Sequence, residues 1–162
     1  MAQLKSTMVI GIGTPYRSDD GIGLQIAGQL RKVLPERVEV TTNMGDGFSL
    51  IELWQKHDCV YLIDAVSGNQ NPGQIYRFDA IMEQISRNLF SRYSTHTINI
   101  PETIALAKIL GKLPKELIIY GVQGKNFEMR SGLSKEAWQA ISRVADCIKI
   151  EIENQEHHCR DK

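Results

Sequence analysis

Three side chains in this chain of 162 residues are placed where chemistry could be built: Asp20, Asp64 and His96. Asp20 ends a glycine-rich loop, Gly11-Ile12-Gly13-Thr14-Pro15-Tyr16-Arg17-Ser18-Asp19-Asp20-Gly21-Ile22-Gly23, entered from the apolar run Met8-Val9-Ile10. Asp64 closes the apolar run Val60-Tyr61-Leu62-Ile63, and His96 sits in the polar stretch Ser94-Thr95-His96-Thr97 ahead of a helix. Two carboxylates and an imidazole are a partial ligand set for a divalent first-row metal, with positions left for substrate or water. Each has a plainer role to weigh. Asp20 could start a helix, where a carboxylate is worth about 0.3–1 kcal/mol against the dipole, although Ser18 or Asp19 could cap instead. An ionised Asp64 beside a buried strand is costly unless it is paired or metal-bound, which favours a site. A loop histidine taken alone is ordinarily just solvated.

The loop resembles a phosphate cradle but ends in Asp19 and Asp20, which would repel a phosphate at a helix N-terminus. The dinucleotide fingerprint wants a third glycine where Tyr16 stands, and no Gly-Lys-Ser/Thr follows for a P-loop. No Gly-x-Ser-x-Gly elbow is present for a serine hydrolase. Cys59, Cys147 and Cys159 form no Cys-x-x-Cys pair and sit in no nucleophile context. The loop therefore reads as a cation site.

The elements that must position these groups alternate in type. Thr7–Ile12 is a buried strand. Asp20–Leu34 is an amphipathic helix stopped by Pro35. Val38–Thr41 is a strand, Asn43-Met44-Gly45-Asp46-Gly47 a turn, and Phe48–Gln55 a short helix. Asp58–Ile63 is a buried strand ending at Asp64. Gln74–Phe78 alternates like an antiparallel edge strand. Ile81–Phe90 reads as a helix or an irregular cover. A helix from Pro101 to about Leu110 stops at Gly111, Leu117–Val122 is another buried strand, and Ser134 caps a long last helix. Strand and helix in alternation predict an α/β chain: three layers, α/β/α, around a twisted, mostly parallel five-stranded sheet with an antiparallel edge strand. In such sheets the residues past the carboxyl ends of the strands converge on one crevice.

Residues 1–153 read as a single domain and 154–162 as a polar tail, in which His157-His158 and Cys159 are a frayed terminus. The formal net charge is zero, so no single-sign field points to nucleic acid or an anionic membrane. No signal peptide or transmembrane run is visible, and three sparse cysteines fit a reducing cytoplasm.

Gly11-Ile12-Gly13, the Ser18–Gly23 turn, Leu62-Ile63-Asp64-Ala65, Ser94-Thr95-His96 and Tyr120-Gly121-Val122-Gln123, in this order and spacing, resemble the nickel–iron hydrogenase maturation proteases from about residue 7 to 150. The resemblance implies an endopeptidase that clips a C-terminal extension from the nickel-loaded precursor of a hydrogenase large subunit. Asp20, Asp64 and His96 would read nickel supplied by that precursor, with no resident metal. Gly45, Asp46, Gly47 and Gln123 border the expected crevice as substrate contacts. The turn at Asn43–Gly47 departs from the Asp-Gly-Gly-Thr common in relatives, which bears on the choice of hydrogenase. The expected chain is a cytoplasmic monomer whose partner is the precursor, without nucleic acid or membrane insertion. Two other classes stay open: a nickel-dependent maturation chaperone that does not cleave, and a small metallohydrolase with a resident metal.

Overall fold

A computed structural model describes residues 4–44, 46–68, 71–90, 99–130 and 132–160, the last four by backbone alone. His96 and Gly45, both expected at the site, lie outside the described residues. Five strands, β1 (Thr7–Ile12), β2 (Glu39–Asn43), β3 (Cys59–Val66), β4 (Ile75–Asp79) and β5 (Glu116–Gln123), form one sheet in the order β2-β1-β3-β5-β4. All pairings are parallel except β4 with β5, which is antiparallel at one edge, as expected.

Among the described residues four helices cover the sheet: α1 (Ile22–Val33), α2 (Gly47–Trp54), α3 (Ile100–Ile109) and α4 (Lys135–Arg160). Alternation along the strands divides the core in two. Val9, Tyr61, Ile63 and Ile118 pack with Ile26 and Leu30 of α1 and Ile141 and Ile148 of α4. Met8, Ile10, Leu62 and Ile119 pack with Leu50 and Trp54 of α2 and Ile100 and Ala107 of α3. Every residue of β1 and β3 is buried, which is why these strands read as unbroken apolar runs. Gly111, in the left-handed region at φ 65°, ends α3 where the sequence placed its stop.

Two expectations are corrected. β3 does not end at Asp64: it continues through Ala65 and Val66, which pair with Val122 and Gln123, so the carboxylate stands within the strand. The 154–162 segment is not a separate polar tail, because α4 runs on to Arg160. Two of its polar residues are held: Gln155 Nε2 donates to the Tyr61 hydroxyl at 3.1 Å, and Glu156 pairs with Arg37. Of the two readings left open for 81–90, a helix or an irregular cover, the structure shows the second, tethered where Phe90 bridges Val66.

Candidate active site

The first loop and α1 meet the sheet at very short range. A Cβ on Gly23 would stand 2.3 Å from the Ile12 carbonyl oxygen and 2.4 Å from that of Ile63; one on Gly11 would stand 2.2 Å from the Gly23 oxygen. Only glycine permits this approach. It seats the start of α1 on the carboxyl ends of β1 and β3, so Asp20 comes next to Asp64. Asp20 lies in a single 3-10 turn, Ser18–Gly21, just before α1.

Both carboxylates are buried, Asp20 at 6% and Asp64 at 8% exposure. Each has one oxygen tied to a nearby N–H: Thr14 N–H donates to Asp20 Oδ2 at 3.0 Å, and Ala65 N–H to Asp64 Oδ1 at 2.8 Å. Burial pushes the Asp20 carboxyl above the ordinary range, against the Thr14 hydrogen bonds and the Arg17 charge, which pull it down. Burial pushes Asp64 well above that range, and the Asp20 charge beside it adds to the push. Two buried like charges at a sheet edge favour either a shared proton or a bound cation.

Asp19, adjacent in sequence, does something else. Its fully buried carboxylate accepts from Lys125 N–H (2.7 Å), Asn126 N–H (3.2 Å), Ser134 N–H (2.7 Å) and the Ser134 hydroxyl (2.8 Å). Ser18 N–H donates to the Arg130 carbonyl and Asp19 N–H to that of Asn126, both at 2.9 Å. The segment between β5 and α4 is thus laced to the turn carrying Asp20. Ser18, at φ 48°, accepts a left-handed backbone to make that lacing. Sequence reasoning offered Asp19 or Ser18 as the cap of the first helix; the structure turns the Asp19 carboxylate to the segment after β5 instead. The signal available was Ser134, whose capping position needed an anchor.

The remaining expected residues divide. Asp46 caps α2, its Oδ1 accepting from Phe48 N–H at 3.2 Å, and Gly47 is buried in the first turn of that helix. Gln123 ends β5 on the face that carries Asp64. His57, described in full, pairs with Glu39 at the opposite end of the sheet (3.1 Å). Burial pushes the Cys59 thiol up to about 12, so it is no nucleophile. Among the described residues no group of three or more His, Cys, Asp or Glu is placed to hold a metal ion. Tyr16, Met44 and Met129, on the loops after β1, β2 and β5, and Phe48, in the first turn of α2, are exposed apolar side chains that sequence reasoning did not single out. No helix among the described residues is long and apolar enough to cross a membrane.

Comparison with known proteins matches residues 24–151 to the family described as hydrogenase maturation protease. The hydrogenase expression/formation protein HoxM of Azotobacter vinelandii is 29% identical over 149 residues, 90% of this chain and 70% of its own. Hydrogenase 2 maturation protease of Escherichia coli (strain K12) is 25% identical over 130 residues, 78% of each chain. The solved structure of the hydrogenase maturating endopeptidase HybD from E. coli superposes with a TM-score of 0.76 at 21% identity, covering 91% of this chain and 92% of its own. That last likeness is one of fold.

Proposed function

The chain belongs to the hydrogenase maturation protease family, an endopeptidase family, and on that premise we propose that it removes a C-terminal extension from the nickel-loaded precursor of a nickel–iron hydrogenase large subunit. The buried pair Asp20 and Asp64 at the carboxyl edge of the sheet is the observation that carries the reading. Two like charges in a low-dielectric cleft attract a divalent cation strongly, and nickel arriving in the precursor supplies one. His96 is the third ligand of this reading; it precedes Asn99, the residue that opens α3.

Nickel held by these groups docks the scissile peptide beside the carboxylates, which turns an encounter into an oriented attack. A water adds to the scissile carbonyl and gives its proton to a carboxylate oxygen not tied to a backbone N–H. The carbon–nitrogen bond then breaks, and that proton passes to the departing amine, leaving a new carboxylate on the large subunit. Asp20 and Asp64 have one tied oxygen each, which supports this division of labour. In this reading the metal belongs to the substrate, and the chain acts as a cytoplasmic monomer on one precursor at a time. Asp46 and Gly47, at the start of α2, contact the precursor, as does Gly45 in this reading.

The test is intact mass spectrometry of precursor incubated with the chain, with nickel loaded and without. Loss of a short C-terminal peptide from the nickel-loaded sample alone is the expected result. Unchanged mass in both samples overturns the reading.

A further inference from the structure

Gln123 is 3% exposed, and the two ends of its side-chain amide are treated differently. Nε2 donates to the Gly124 carbonyl oxygen at 2.9 Å. Oε1 is buried and has no hydrogen-bond partner among the described residues. Reversing the amide would set Oε1 against the Gly124 oxygen, acceptor to acceptor, so the orientation is fixed. The backbone of Gln123 is locked as well: its N–H donates to the Gln74 carbonyl and its carbonyl accepts from Gly73 N–H, both at 2.8 Å. The side chain is held firmly with its acceptor unused.

A desolvated acceptor of this kind is unfavourable until a donor meets it. When one does, no water has to be stripped from the acceptor, so the contact discriminates strongly between a substrate with the N–H and one without. The residue beside Oε1 is Gly68, half-buried, on the connection after β3. A Cβ there would lie 3.4 Å from Oε1, in van der Waals contact with it, so a glycine at 68 keeps a side chain off this acceptor.

The location fixes the role. Asp64 pairs with Gly121, and Gln123 lies two residues farther along β5 on the same face. Strand spacing and rise put the two Cα atoms about 8 Å apart. An extended polypeptide advances about 3.4 Å per residue, so it covers that span in about two residues. Resting on the peptidase reading above, we propose that Gln123 Oε1 accepts a backbone N–H of the substrate about two residues from the scissile bond. The contact sets which peptide bond lies against Asp20 and Asp64. A residue without an N–H at that substrate position, such as proline, is rejected. Gln123 is thereby a register-determining residue of the cleavage.

Semisynthetic nickel-loaded precursors test this, each carrying one backbone ester in place of an amide at successive positions around the cut, the scissile bond itself excepted. The parent chain should cut one of these about tenfold or more slowly and the others nearly normally. Gln123→Met should slow the all-amide precursor by a similar factor and abolish the extra penalty of that one ester. Gly68→Ala, which places a methyl against Oε1, should do the same while thermal unfolding stays cooperative. Equal ester penalties in parent and Gln123→Met overturn the contact, as does a Gln123→Met chain with the parent's rate. A parent chain that leaves the all-amide precursor uncut overturns the peptidase reading, and the contact with it.

Discussion

Asp19 and Ser134, 115 residues apart, hold one another twice: the Ser134 N–H donates to Oδ1 at 2.7 Å and its hydroxyl to Oδ2 at 2.8 Å. The same hydroxyl accepts from Ala137 N–H at 3.2 Å and so caps α4. One buried carboxylate therefore ties the first loop, the segment after β5 and the last helix together.

Asp19→Ala leaves four donors without their acceptor. A loss of about 3–5 kcal/mol is expected, the cost of breaking a buried charged network, read as the urea midpoint. The residual folded enzyme should have a lowered kcat, because the turn carrying Asp20 is freed. Full stability and parental kcat in this variant would remove the clamp.

Asp64→Asn should be more stable than the parent at neutral pH yet inactive. Burial and the neighbouring Asp20 raise the folded carboxyl above its unfolded value of 3.8, so the folded state binds the proton more tightly. Stability then falls as pH rises from 3.8 toward the raised folded value and stays low above it. The amide abolishes that loss, so its melting temperature at neutral pH should exceed the parent's. Cleavage should fall by about a hundredfold or more. Asp20→Asn should lose activity likewise. A melting temperature of Asp64→Asn below the parent's at neutral pH would contradict the buried-charge account.

Glu151 gives the opposite pH signature. Burial alone would raise its carboxyl, but hydrogen bonds from Arg77 (2.6 and 3.1 Å) and Tyr120 outweigh burial and hold it below its ordinary 4.5. Its contribution is complete above 4.5 and is lost as pH falls through the folded value. Glu151→Gln should cost about 1–3 kcal/mol at neutral pH and progressively less on acidification. Parallel stability–pH curves for parent and variant would show that the carboxylate contributes nothing.

Gly23→Ala probes the close seating of α1. Its methyl would press on the Ile12 and Ile63 carbonyl oxygens at 2.3 and 2.4 Å, both backbone atoms. About 3 kcal/mol of destabilisation is expected, with activity falling further than the folded fraction as Asp20 moves away from Asp64. Unchanged activity per folded molecule would mean that the two carboxylates do not depend on this seating.

Apolar periodicity made the strands, their order of types and the antiparallel edge legible, because β1 and β3 bury their whole length, β5 all but the half-buried Glu116, and α1 buries one stripe. Asp64 was legible for the reason that misplaced the end of β3: a carboxylate looks like a terminator, and its cost inside a strand is what marks it. Asp19 was not legible, since its donors lie more than 100 residues away. The last turns of α4 were hidden by their polarity, which the structure explains through Arg37 and Tyr61, partners outside the helix. Gln123 was visible as a position; its unpaired oxygen was not, because that depends on the neighbours at Gly124 and Gly68.

The sheet order carries a consequence for synthesis. β5, which emerges last, inserts between β3 and β4, so the two earlier strands cannot pair before it arrives. A nascent chain that has exposed both aspartates still lacks the β5 neighbour of β3, the Asp19 anchors and Gln123. Long-range pairing of this kind forms late. The cleft is consequently assembled only once Ser134, the last of these anchors, is available to fold, and a product terminated before it would carry the acidic residues without the means to cut.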